Sequence, residues 1–145
     1  MKLALFAALL LAAPSADRVG FPEGYREKFR VLRTTENAAK QETKVIYGNE
    51  AAASAFGAPP RSFPYGAVLV METRKPGGVT GLHVMRKERG FGEAYGESRT
   101  GEWEYTEYRP DRSYITTPQK SDACAACHLK AGREKDFVYG IAPSP

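Results

Sequence analysis

The chain has 145 residues, 42% hydrophobic and 26% charged, with a formal net charge of +4. That length favours one domain with an ordinary globular balance, and fourteen glycines with ten prolines exclude a simple bundle of long helices. The basic residues are scattered among acids, which excludes a cluster able to track a phosphate backbone, so no nucleic-acid partner is expected.

The chain opens with Lys2 and an apolar run from Leu3 to Ala13, followed by the small residues Ala13-Pro14-Ser15-Ala16. This reads as an export signal, too short to span a bilayer, cut after Ser15 or Ala16. A buried N-terminal helix is the competing reading, but no polar face interrupts the run. The expected organisation is a signal over 1–16 and a single domain over 17–145. The mature protein is then soluble and periplasmic or otherwise extracytoplasmic, with no membrane partner.

Phe21-Pro22-Glu23-Gly24-Tyr25 to Phe29 predicts a short N-terminal helix: Pro22 suits a first turn, Glu23 suits its positive end, and Tyr25 and Phe29 share a face. The chain then runs into Val31-Leu32. Thr43 to Tyr47 is rich in β-branched and aromatic residues and predicts a strand. Asn49 is a candidate cap for a helix over Glu50 to Phe56 that Gly57 closes, and Pro59-Pro60 enforce a loop. The apolar run Gly66 to Glu72 predicts a buried strand, Pro76-Gly77-Gly78 a turn, and Val79 to Lys87 the return strand of a hairpin. Gly90-Phe91-Gly92 reads as a loop. Glu102 to Tyr108 starts with the two-residue alternation of a half-buried strand. Ser121 or Asp122 is a candidate cap for a helix carrying Cys124 and Cys127, and Asp136 to Tyr139 reads as a last short strand. The fold class is α+β, mainly β: an antiparallel sheet with a short N-terminal helix and a C-terminal helix bearing both cysteines.

Cys124-Ala125-Ala126-Cys127-His128 is the attachment signature of c-type haem. Two thiols at this spacing can add across the two vinyl groups of one porphyrin edge. The next residue, His128, then lies beneath the iron as its proximal ligand. One covalently attached haem c per chain is the expected cofactor, with His128 the metal ligand. Three other readings weaken on inspection. A thioredoxin-like pair belongs in a strand–helix–strand unit, which the surrounding sequence lacks. A zinc site wants four ligands, and beyond these three residues the chain has only His83 and no second paired spacing. A disulfide between such close cysteines closes almost no loop.

Phe21-Pro22-Glu23-Gly24-Tyr25-Arg26, Val45-Ile46-Tyr47, Gly66-Ala67-Val68-Leu69-Val70, Gly90-Phe91-Gly92, Gly101-Glu102-Trp103-Glu104 and the late Cys-x-x-Cys-His together resemble the cytochrome P-460 and cytochrome c-prime-beta family. A motif near the C-terminus also occurs in four-helix cytochromes c-prime, but this body reads as strands. The resemblance implies an antiparallel sheet, a homodimer and a five-coordinate haem with an open distal face. In its P-460 branch a strand lysine is cross-linked to the porphyrin and the protein oxidises hydroxylamine. In its c-prime-beta branch the cross-link is absent and the haem binds small gases, notably nitric oxide.

The residue matching that lysine is Met71. A slip of one position gives Val70 or Glu72, and Lys75 falls near the turn. Gly81 to Met85 also lacks the carboxylate that the P-460 branch uses on its following strand. Both absences imply the c-prime-beta branch, whose leading function is binding of nitric oxide or carbon monoxide, with turnover of a substrate left open. The resemblance makes Met71 a candidate distal wall, Phe56 and Phe63 candidate caps of the open face, and Lys44 a basic residue beside the cofactor. Ordinary core or surface roles stay open for all four. Met71 as a sulfur ligand, or His83 as a second histidine ligand, instead gives a low-spin electron carrier with an unidentified redox partner.

Overall fold

The structure is a computed structural model that describes residues 17–57 and 62–140. The export signal expected at 1–16 and the Pro59-Pro60 loop lie outside these residues. Five strands, β1 (Arg30–Asn37), β2 (Glu42–Gly48), β3 (Val68–Lys75), β4 (Gly78–Lys87) and β5 (Trp103–Tyr108), form one sheet in sequence order. Every pairing is antiparallel. The helices are α1 (Tyr25–Lys28), α2 (Glu50–Ala55) and α3 (Pro118–Leu129). The architecture is thus the mainly β, α+β fold expected. No helix among the described residues is long and apolar enough to cross a membrane.

Alternation along the strands separates two cores. Val45, Tyr47, Val68, Val70, Leu82, Val84 and Tyr108 gather on one face with Val19, Phe21, Tyr25 and Phe29. Leu69, Met85, Trp103 and Tyr105 join a second core with Ala52, Ala55, Phe63, Ala125 and Val138 from the helices and loops. Trp103 is fully buried, and truncating such a residue to alanine costs roughly 3–5 kcal/mol.

Several local expectations hold. Asn49 caps α2, its side chain accepting from the Ala52 amide at 3.0 Å. The β3–β4 hairpin closes with Lys75 opposite Gly78. Others are corrected. The short N-terminal helix is present but starts only at Tyr25, so Pro22 and Glu23 lie before it. Strand β1, anticipated only as chain running into Val31-Leu32, is a full edge strand. Residues Phe91–Ser98 form 3-10 structure broken by a kink at Gly96, with Gly92 so close to the Gly101 carbonyl that an added Cβ would sit 1.8 Å from its oxygen. The amides of Gly90 and Gly92 donate to the Glu102 carboxylate at 3.0 and 3.1 Å, which ties this loop to the start of β5.

Helix α3 begins at Pro118, so Ser121 lies inside it rather than capping it. The Ser121 hydroxyl instead donates to the Tyr105 carbonyl at 3.1 Å, fastening the helix to β5. Asp136 to Tyr139 is not a strand. It follows a 3-10 turn over Arg133–Lys135, and Asp136 and Phe137 take left-handed backbone with φ of 47° and 61°. Residues so twisted cannot enter a ladder.

Candidate haem site

His128 lies in the last turn of α3, its ring between two tyrosines. The Tyr105 and Tyr139 ring centroids lie 4.7 and 5.3 Å from its own. Its Nδ1 lies 2.8 Å from the Phe137 carbonyl oxygen, which can only accept. Nδ1 therefore carries the proton and donates, and Nε2 keeps its lone pair. Burial pushes the imidazole pKa down, partly offset by this hydrogen bond. A neutral imidazole with one nitrogen committed and the other bare is the form a metal requires.

The neighbouring cavity has a volume of about 440 Å³. Helix α3 and the segment after it contribute Cys124, Cys127, His128, Val138 and Tyr139. The sheet contributes Ile46, Leu69, Met71, Met85 and Tyr105, with Arg33, Thr35, Lys44 and His83 also on the wall. Both thiols are unpaired with each other, Cys124 half-buried and Cys127 exposed. The arrangement fits haem: two thiols and an unengaged imidazole nitrogen meet at one mainly apolar space. Among the described residues no three His, Cys, Asp or Glu side chains converge as a metal cage. Among the described residues no parallel strand–helix–strand unit surrounds the cysteines.

The register settles which β3 residue faces this space. Met71 lines it, paired with Ile46 on β2 and His83 on β4. Val70 and Glu72 point to the opposite core, and Lys75 ends the hairpin. Lys44 reaches the cavity wall, 45% exposed along its side chain, with Nζ 3.6 Å from a Glu42 carboxylate oxygen. His83 Nε2 lies 3.8 Å from Glu107 Oε1.

Phe63, expected as a possible cap, is not on the cavity wall. It packs edge-on against Trp103 at 5.5 Å between centroids, 2% exposed. Phe56 also lies off the wall, packed against the same core. Their apolar surface is satisfied there because α2 folds over that end of the sheet. Sequence reasoning missed Tyr105, Tyr139 and the Phe137 carbonyl. The alternation in β5 was the available signal for Tyr105, whereas nothing local marks a backbone carbonyl as a hydrogen-bond partner of His128.

A search of curated proteins finds no match to the chain. The profile of the cytochrome P460 family matches residues 22–140, a span that holds all five strands, the Cys-x-x-Cys-His segment and the cavity between them. The chain therefore belongs to the cytochrome P460 family, and its cofactor is haem.

Proposed function

We propose that the protein is an exported mono-haem c-type cytochrome that binds nitric oxide or carbon monoxide. Its haem is held by thioether bonds to Cys124 and Cys127 and by His128 on the iron. The observation that carries this reading is the meeting of both thiols and the bare Nε2 of His128 at one apolar cavity. When bound, haem supplies the iron at which a diatomic gas coordinates.

The chain's own residues do the rest. Cys124 and Cys127 would hold the group, each thiol adding its S–H across one vinyl double bond so that sulfur and hydrogen end on adjacent carbons. Tyr105 and Tyr139 restrict the His128 ring, and the Phe137 carbonyl fixes its tautomer. Ile46, Leu69, Met71 and Met85 exclude water and offer no hydrogen-bond donors. That apolar part of the wall gives bound dioxygen, whose binding builds charge, no stabilisation, and nitric oxide and carbon monoxide need less of it; Thr35, Lys44 and His83 are donors elsewhere on the same wall. Arg33 and Lys44 bring positive charge to the wall, which suits the propionate carboxylates.

Met71 on the sheet wall supports a second reading, in which its sulfur ligates the iron and the protein carries electrons. Hydroxylamine oxidation fits less well, because the strand position tied to a lysine cross-link holds Met71. A homodimer and an extracytoplasmic location complete the proposal and rest on the family resemblance and the N-terminal sequence.

The test is a set of absorption spectra of ferric, ferrous and nitric-oxide-treated protein. High-spin spectra with a rapid gas adduct are expected. Low-spin spectra in both oxidation states, turned high-spin by Met71→Leu, would establish the electron carrier instead. Serine at both Cys124 and Cys127 is expected to leave the haem extractable by acid and organic solvent.

A further inference from the structure

His128 depends for its orientation on a turn outside its own helix. The carbonyl that receives its Nδ1 proton belongs to Phe137, and both Phe137 and Asp136 have left-handed backbone. Neither is glycine, so partners must hold this turn in place.

Asp136 has them on both its carboxylate and its carbonyl. The carboxylate accepts from Lys87 Nζ at 2.5 Å and from the Phe63 amide at 2.8 Å. The Asp136 carbonyl accepts from Trp103 Nε1 at 2.9 Å. Lys87 is itself 6% exposed, lies opposite Trp103 in the β4–β5 register, and also donates to the Ser62 hydroxyl at 2.9 Å. The ends of two strands thus grip one residue, and the next residue's carbonyl aims at the imidazole.

A buried ion pair is a poor choice for stability alone, because desolvating two charges offsets much of their attraction. What it supplies here is fixed geometry. We propose that the Lys87–Asp136 pair is a positioning device for the haem ligand. It holds the Phe137 carbonyl against His128 Nδ1 and so sets how strongly Nε2 donates to iron. The inference rests on the reading that His128 ligates haem. A firm Nδ1–H···O=C bond makes the imidazole a stronger donor, which favours the ferric state. A loosened turn weakens that donation.

The test compares Lys87→Met, Asp136→Asn and Lys87→Arg in the haem-loaded protein. The first two are expected to raise the reduction potential and lower the ferrous iron–histidine stretching frequency, with haem content unchanged by pyridine haemochrome. Lys87→Arg, which keeps the pair, is expected to restore values near those of the unaltered chain. Glu72→Gln, which loosens the opposite core, is expected to lower stability and leave both readouts in place. Should the single variants fail to fold, the double variant Lys87→Met/Asp136→Asn removes both charges together and carries the same expectation. Variants that lose stability while potential and frequency stay put would overturn the proposal and leave the pair purely structural. An unaltered protein with normal haem content and high-spin ferrous spectra but no iron–histidine band would instead strike the ligand reading beneath it.

Discussion

Glu72 and Asp136 are both buried carboxylates paired with cations, on opposite sides of the sheet, and they are held in different ways. Glu72 is 0% exposed and receives Tyr25, Arg26 and Arg74. Its two arginines reach it from the surface, their side chains 51% and 43% exposed. Asp136 meets a lysine whose side chain is only 7% exposed. One carboxylate is an anchor that surface groups lean on. The other sits within a closed network one residue from the carbonyl that holds His128. Similar ion-pair chemistry thus closes one core and, beside the other, holds the turn that carries the hydrogen-bond acceptor of His128.

The largest effect should come from Lys87→Met. Leaving a buried carboxylate without its cation costs about 3–5 kcal/mol, read as a drop in urea unfolding free energy. A loss below about 1 kcal/mol would place Asp136 in the same class as a surface carboxylate. Glu72→Gln should cost less, about 1–3 kcal/mol, since Arg26 and Arg74 can turn to water.

That variant also has a pH signature. Burial raises the Glu72 pKa, but hydrogen bonds from Tyr25, Arg26 and Arg74 outweigh it and hold the carboxyl below its ordinary value. The folded pKa thus lies below the unfolded one, about 4.3. The stabilisation is fully present above that pH and is lost as pH falls through the folded value. Unfolding at neutral pH and near pH 3 should show a gap between variant and unaltered protein that narrows in acid. A gap constant with pH would remove Glu72 as the titrating anchor. Tyr25→Phe is the mildest change. It deletes one hydroxyl donor while keeping the ring that packs against Tyr47 at 5.2 Å, and should cost about 1 kcal/mol.

Strands β2 to β5 were legible because each buries at least one face and so carries an alternating or apolar pattern. Strand β1 was not. Seven of its eight residues are exposed, so Arg-Val-Leu-Arg-Thr-Thr-Glu-Asn has little pattern to read. Its place comes from pairing with β2, which is a tertiary fact. The Cys-x-x-Cys-His segment stood out because thioether and ligand chemistry would dictate its spacing, and the structure places Cys124, Cys127 and His128 at one cavity. Met71, expected on a pocket wall, lines the cavity, and the register turns its neighbours away. Phe63 misled because an aromatic beside a loop satisfies a cap and a core equally until Trp103 is seen beside it. Lys87 and Asp136 lie 49 residues apart in sequence, and no local signal joins them. Asp136 to Tyr139 looked extended because Phe, Val and Tyr favour strands, yet the grip of Trp103 and Lys87 overrides that preference.

The order of the strands has a consequence for how the molecule assembles. Each strand pairs with its neighbour in sequence, so every pairing closes a loop of modest length and little entropy. None of those pairings waits for residues beyond Tyr108. The cysteine-bearing helix docks onto a wall that can already exist. The contact of the Asp136 turn with Lys87 spans 49 residues and joins a segment beyond the sheet to the end of β4. A chain emerging from its N-terminus therefore completes its sheet before it presents its thiols.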